Sequence, residues 1–600
     1  MTQPPPTIAL RKDAHDTIAS ETAKHLPRET GGILLGYREG ADIAVTHALV
    51  VDGPGASARR YVRDDVRANQ LLNEFLAQRA ADDPIGYIGE WHSHPAPSGP
   101  SATDIAALRA TAKASSDPIA LLVHAPGGPG PFFGSIARRQ RFGRITTQEA
   151  KVSLPPSRFK PLGPLPERAV HGDGPVFISY RQTDGTIRAN SLQNLLRAAG
   201  LVVWRDHTDL RPGTTTDRLE QALTQGLSAA VLIVTPDIID SEIVRERELP
   251  RLLQLDDDPA FSLCIANDIA RSESDSKCDY DAPDRLLRLA PTRTLADKKQ
   301  SNMLDPAGEI QIVRDLLMHR IEQRKPEIRT EGRTFTIRVQ SRPAPFAIDA
   351  DDDDLHIRLQ AADEGGLPSR AALELLRSTL PLTGDAVHAA GAKTVRITGG
   401  AHLSIALALG AALSETRIGN VEVVDVRDQP WTSASGDDPL THEPHTELLH
   451  LDEPQSTATR DRVAVFVSLT SNPDHTAFDR LLHEHPGRFS RAAVVSLSGE
   501  DRIDPREAAR LSTAVAQEIR RLAASSGRAE VHLVFHGPYA MAVLIGRHLN
   551  TLRTVVYEWD NARDDIPRYR PAFVLQPGVT GGPITEVLID PLSTDTSSGH

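Results

Sequence analysis

Two stretches without apolar periodicity cut this chain into three bodies, and that division constrains its fold more than any other feature. Residues 154–174 (LPPSRFKPLGPLPERAVHGDG) are crowded with Pro and Gly, and residues 323–348 lead from a helix end toward four aspartates at 351–354. Pro and Gly at the density of 154–174 neither continue a helix nor join a ladder, so that stretch reads as a linker, while the second breaks the apolar pattern where a helix ends. The aspartate run reads as a solvated acidic loop rather than a metal site. The closing STDTSSGH reads as a disordered tail. A chain of 600 residues is too long for a single core, and three bodies agree with the roughly 100–200 residues that a domain takes.

Composition removes several function classes. A net charge of −13 argues against a coat for duplex nucleic acid or a membrane-surface protein, yet leaves room for a local basic pocket. Two cysteines, Cys264 and Cys278, make no disulfide framework. The opening MTQPPPTIAL has no apolar secretion core, and no run reaches the ~18 apolar residues of a membrane span. The expectation is a cytoplasmic chain with no membrane partner.

The sharpest motif is GEWHSHPAPSGPSATD, residues 89–104. YIGEWHSH reads as a strand, whose period of two puts His92 and His94 on one face. Two imidazoles begin a zinc site, and a third ligand with one open position completes a catalytic one. Asp104 follows a Pro-rich turn at the start of a helix predicted over 102–112, where a carboxylate can swing back to the metal. Ser101-x-x-Asp104 also reads as a helix cap, which is compatible with metal binding. Upstream, Glu29 precedes two glycines and an apolar strand in RETGGILLGY. Together, ETGGILLG and EWHSHP…PSATD resemble the JAMM/MPN metalloproteases of the prokaryotic type. The resemblance implies Zn2+ on His92, His94 and Asp104, Glu29 as general base and Ser101 as oxyanion stabiliser. One departure is the spacing of six residues between His94 and Ser101, where the commonest family pattern has seven.

Residues 175–325 alternate strand and helix as a parallel sheet requires, with VFISY, LVVW, AAVLIVTP and FSLCIAN as buried strands. VFISYRQTDG, GLVVWRD, DLRPG and LSAAVLIVTP, in that order, resemble a TIR domain. The resemblance implies a flavodoxin-like fold and either an NAD+-cleaving enzyme or an interaction adapter. In an enzymatic member, Glu248 of DSEIVRERELPRLL is the best candidate for the catalytic glutamate, with Glu242 and Glu246 as competitors. The aromatic residue usual four positions earlier is replaced by Val244. Arg181 and Asp206 lie at strand ends near the expected NAD+ cleft.

Residues 330–590 alternate again, and they carry an internal echo. GGAHLSIALALGAAL follows the strand TVRIT, HGPYAMAVLIGRHL follows VHLVFH, and aligning Ala406 with Ala542 aligns Gly410 with Gly546. Two related Rossmann-like halves account for it. These blocks resemble a SAVED domain, a sensor of cyclic oligonucleotides. The expected ligand residues are Gly399, Gly400, His402 and Ser404 in the first turn, Ser468, Leu469 and Thr470 after the central strand, and His536, Gly537, Pro538 and Tyr539 in the second turn. A helix N-terminus behind such a turn suits a phosphate. His442/His445 and His483/His485 lack an acidic third ligand and read as surface histidines.

The expected architecture is therefore α/β multidomain: an α+β JAMM domain over 1–153, a linker over 154–174, a TIR domain over 175–325, a SAVED domain over 330–590 and a tail over 591–600. The whole resembles a cyclic-oligonucleotide-activated antiphage effector of the CBASS or CRISPR type. That implies ligand-induced self-association into an oligomer or filament and a protein substrate for the peptidase. The alternatives are a scaffold whose TIR domain only oligomerises, and a constitutive deconjugating peptidase.

Overall fold

The computed structural model describes residues 5–589 apart from 40–41, 59, 78, 80–83, 128–129, 141–142, 155–161, 206–221, 242, 273–276, 288–293, 343–352, 361–365, 435–440, 442, 452–461, 471–473, 498–501 and 561–565. Asp206, Glu242, His442, Asp351, Asp352 and the expected tail lie outside the described residues. Among the described residues no helix is long and apolar enough to cross a membrane.

The first body is a closed barrel. Its strands run in the order Thr7–Leu10, Asp42–Val50, Gly31–Glu39, Gly86–Ser93, Ile119–His124, Phe132–Arg139 and Ile145–Ser153, and the last pairs back onto the first. GGILLG is apolar without alternation because both faces of its strand are covered. Leu34 packs with Ala14 and Ile18 of the helix Lys12–His25, whereas Ile33 and Leu35 pack with Ala68 of the helix Asp65–Ala77. The glycines permit close approach, since a methyl on Gly32 would lie 1.9 Å from the Leu49 carbonyl oxygen.

The second body is a five-stranded sheet in the order Lys299–Asn302, Ser262–Asn267, Ala229–Val234, Val176–Ser179 and Val203–Arg205, with every pair parallel. Counted along the chain this is the flavodoxin-like order, whose switch point falls between the first and third strands. Residues 165–174, expected as linker, dock on this body: Val170 bridges Leu227, and the Ser228 hydroxyl donates to the Gly174 carbonyl at 2.6 Å.

The third body holds two sheets. One runs Leu355–Arg358, Phe335–Gln340, Thr394–Gly400, Asn420–Val424 and Pro430–Thr432; the other runs Pro444–Leu449, Arg491–Leu497, Arg462–Ser468, Glu530–His536, Thr554–Asp560, Arg568–Leu575 and Ile584–Val587. The helices Leu403–Ala412 and Tyr539–Gly546, each following a parallel strand, pack on one another where the halves meet. Their glycines make the crossing possible. A methyl on Gly410 would lie 2.0 Å from the Val543 carbonyl oxygen, and one on Gly546 would lie 2.2 Å from that of Leu407. The offset that aligns Gly410 with Gly546 also aligns Leu407 with Val543, so the contact is self-complementary about a pseudo-two-fold.

The helix Pro306–Thr330 ties the second body to the third. Asp305 caps it by accepting from the Ala307 N–H at 2.9 Å, with Pro306 at the first turn. Buried side chains of both bodies, among them Ile178, Val231, Leu316, Ile321, Phe335 and Ile337, form one continuous core. Here the expectation of a solvated aspartate loop fails. Asp353 and Asp354 are buried: Arg333 and the Thr336 N–H serve Asp354, and Arg338 pairs with Asp353. The Arg320 guanidinium donates to the main-chain carbonyls of Asp173, Gly174, Asp353 and Asp354. Burial pushes that guanidinium down to about 10. Buried charge demands such partners, and they come from elements distant in sequence.

Candidate functional site

Strand register assembles the candidate metal centre. Gly31 pairs with His92 across the antiparallel ladder, and Thr30 and Ser93 exchange hydrogen bonds of 2.7 and 2.9 Å, so Glu29 arrives beside the histidines. The Nε2 atoms of His92 and His94 are 3.2 Å apart, and each lies 3.5 Å from an Asp104 carboxylate oxygen. Ligands about 2.0–2.1 Å from a tetrahedral zinc lie roughly 3.3–3.4 Å apart, so this donor set fits the ion in chemistry and in spacing. His94 Nδ1 lies 3.2 Å from the Ser98 carbonyl oxygen, which only accepts; Nδ1 therefore carries the proton and leaves Nε2 free to ligate. Among the described residues this is the one His/Cys/Asp/Glu group arranged to hold a metal.

Ser101 is the N-cap of the helix Ala102–Ala114 and shares a capping box with Asp104: the Asp104 N–H donates to Ser101 Oγ at 3.3 Å, and the Ser101 N–H donates to Asp104 Oδ2 at 2.6 Å. Burial opposes ionisation of Asp104, but the His92 and His94 imidazoles hold it well below the usual carboxylate range. Burial raises the Glu29 carboxyl above its ordinary value against the pull of His94 and His92.

In the parallel sheet, Glu248 ends a π-helical turn, Val244–Glu248, and is 2 % exposed. The hydroxyl of Ser179, the last residue of the first strand, donates to it, which sets the carboxylate at the switch point. Arg181 precedes the helix Gln182–Ala198 and turns to Thr183 at 3.3 Å. Asp184 accepts from Thr235 Oγ1 at 2.7 Å and from the Asp237 N–H at 2.8 Å, fixing the loop over the third strand.

Between the halves of the third body lies a cavity of about 870 Å³. Arg338, Arg342, Arg427 and Arg502 line it against one carboxylate, Asp425, among the described residues; Trp431, Tyr539 and His356 complete much of the wall. Asp425 is occupied by the N–H groups of Arg427 and Gln429 and by the Trp431 indole, so the arginines dominate the field. The buried Tyr539 hydroxyl has no hydrogen-bond partner.

Three family models match in chain order. Residues 11–133 match prokaryotic homologs of the JAB domain, 176–267 match the TIR domain, and 375–575 match SAVED, the SMODS-associated and fused to various effectors sensor domain. The chain joins a JAB, a TIR and a SAVED domain. A probable metalloprotease (y4qB) of Sinorhizobium fredii is 29% identical over 159 residues, 25% of this chain and 97% of that protein. The solution structure of protein DSY2949 from Desulfitobacterium hafniense is 21% identical and covers 25% of this chain and 92% of its own, with a TM-score of 0.20. The Acinetobacter baumannii Cap4 SAVED/CARF-domain receptor with the cyclic trinucleotide 2'3'3'-cAAA is 12% identical, covering 78% of this chain and 96% of its own, with a TM-score of 0.34.

Within the SAVED domain, Gly399, Gly400, Leu469, Thr470, Pro538 and Tyr539 reach the cavity wall. His402, Ser404, Ser468, His536 and Gly537 are not among its lining residues. His402 is buried between Ser341 Oγ at 2.8 Å and the Gly366 carbonyl at 3.0 Å, and Ser468 is fully buried. A methyl on Gly537 would meet Leu469 Cβ at 2.9 Å, so that glycine serves close packing. At Ser404 a protein carboxylate stands where an anion was expected: Glu558 accepts from its N–H at 2.9 Å and its hydroxyl at 2.6 Å. The arginines, His356 and Trp431 escaped sequence reasoning. One signal was available in FTIRVQ, where Thr336, Arg338 and Gln340 alternate with buried Phe335, Ile337 and Val339. His445 and His483 are exposed and His485 half-buried.

Proposed function

We propose that the chain is an antiviral-defence effector: the SAVED cavity takes a cyclic oligonucleotide, the chains self-associate, and the TIR and JAB domains then act as NAD+ hydrolase and zinc-dependent peptidase or isopeptidase. The cavity carries this reading. Four arginines, Trp431 and Tyr539 line a space of about 870 Å³, large enough for a ligand of several nucleotides. Arginine meets phosphate oxygens in pairs, and Trp431 and Tyr539 offer aromatic faces for bases.

In the JAB domain His92, His94 and Asp104 would hold zinc, which when bound activates water and polarises the scissile carbonyl. The Glu29 carboxylate takes a proton from water as the C–O bond forms and returns it to the leaving nitrogen as the C–N bond breaks. Ser101 Oγ donates to the oxyanion that develops on the carbonyl. In the TIR domain Glu248 is the proposed catalytic carboxylate, with Arg181 at the rim of the cleft. Its burial against Ser179 supports a resting state that ligand binding relieves.

The test is turnover by the full chain with and without cyclic di-, tri- and tetranucleotides. NAD+ loss that needs one of them and disappears in Glu248→Ala supports the reading. Ligand-dependent proteolysis without NAD+ loss would reduce the TIR domain to a scaffold. Cleavage indifferent to every cyclic nucleotide would replace the reading with a constitutive peptidase.

A further inference from the structure

His356 stands on the cavity wall but belongs to none of the small-residue turns. It lies on the edge strand Leu355–Arg358 and is 8 % exposed, and its Nε2 atom is buried without a hydrogen-bond partner. Among the described residues, the charged groups acting on it are Arg358, two residues along its own strand, and Arg338 on the neighbouring strand, itself paired with Asp353. Arg342 lines the same cavity, so this corner is cationic and its natural partner is an anion. Burial, with Arg358 and Arg338 adding to it, pushes the imidazole down to about 4, which leaves it neutral at physiological pH. A neutral imidazole has one N–H to give.

The other side of the same strand touches the TIR domain. The His356 backbone N–H donates to the Gly200 carbonyl at 2.8 Å, just past the helix Gln182–Ala198. Thr379 Oγ1 donates to the Ala198 carbonyl at 3.2 Å. Gly200 adopts φ +97°, and a methyl there would lie 2.8 Å from Leu355 Cβ, so the junction leaves no slack for any other residue.

We propose that His356 is a recognition residue of the SAVED cavity, donating from Nε2 to a phosphodiester oxygen of the bound cyclic oligonucleotide, and that its strand carries this contact to the TIR domain at Gly200. The proposal rests on the cyclic-oligonucleotide reading and adds to it a residue and a route. An oxygen acceptor satisfies a buried polar atom of this corner that the fold leaves unmet, and the strand it sits on hydrogen-bonds to the TIR domain.

The experiment is calorimetric titration of the full chain with cyclic di-, tri- and tetraadenylate, on wild type, His356→Gln, His356→Leu and His356→Glu. Gln keeps an N–H donor and is expected to hold affinity within about threefold, whereas Leu loses roughly tenfold. Glu, close in size to Gln and flanked by two arginines, folds but repels phosphate and loses roughly 100-fold. Hydrogen exchange of residues 196–200 slows on ligand addition in wild type and in His356→Gln, and not in His356→Leu at saturating ligand. Equal affinities across all four proteins overturn the proposal and leave the sensor reading intact. Unchanged exchange at 196–200 in liganded wild type overturns the route. Absence of binding to wild type overturns the sensor reading itself.

Discussion

Asp104 serves two structures at once, because one carboxylate faces both imidazoles and closes the capping box with Ser101. Its loss therefore costs more than a ligand. Asp104→Ala and His94→Ala are both expected to empty the zinc site by elemental analysis, but in chelator only Asp104→Ala also loses the return half of the capping box, the bond from the Ser101 N–H, worth about 1 kcal/mol, while the residue-104 N–H still donates to Ser101 Oγ. Equal melting temperatures of the two variants in chelator would contradict the double role. Glu29→Gln is expected to keep zinc and lose peptide hydrolysis by roughly 10²–10⁴-fold, since it removes proton transfer and no ligand. These residues were legible because a strand period, a cap motif and a Glu set before a Gly-Gly strand start are local. The cavity arginines were not, because Arg338, Arg342, Arg427 and Arg502 converge only through sheet topology. Glu558 was equally hidden: no spacing shows that a residue 154 positions away covers the first turn at Ser404.

The two small-residue helices are the element on which the SAVED halves turn. Their repeat was readable as two similar blocks; their mutual contact was not, since similarity says nothing of which faces meet. The structure puts Gly410 and Gly546 at the crossing, each against a backbone carbonyl that cannot move aside cheaply. Gly410→Val and Gly546→Val are therefore expected to destabilise the SAVED domain by about 1–3 kcal/mol each, by wedging the helices apart. Gly400→Ala, where a methyl meets nothing within 4 Å, is the control expected to change stability by under about 0.5 kcal/mol. Chemical denaturation separates these outcomes, and equal stability of all three variants would contradict the crossing.

For the whole molecule, the continuous core spanning TIR and SAVED implies that these two domains unfold together, while the barrel, which meets the TIR domain's other core through Ala23 of its first helix, is expected to unfold separately. Calorimetry should then show a chelator-sensitive transition for the barrel and a second, chelator-insensitive one. The second should also be acid-sensitive. Burial depresses His356, His402, His532 and His548, so these imidazoles stay neutral in the fold and take up protons when it opens. The unfolded state binds more protons below the ordinary histidine pKa near 6.5, so stability falls as pH drops from there toward about 4, the value for His356. Lowering pH from 7 to 5 is expected to reduce that transition by roughly 5 °C. A transition unchanged over this range would contradict the buried neutral assignments. The first break was legible from its Pro-rich composition; the second was not, because the helix Pro306–Thr330 runs through Pro326 and the strand Phe335–Gln340 lies inside residues 323–348, and the shared core was hidden because Phe335 and Ile337 read equally well as the start of an independent sheet. Whether the cavity is a nucleotide site is decided by equilibrium binding of cyclic di-, tri- and tetranucleotides to the full chain. One of them is expected to bind at one ligand per SAVED cavity, with affinity that weakens as salt is raised and falls at least roughly tenfold in Arg338→Ala. If none binds at low salt, the cavity is not a cyclic-oligonucleotide sensor.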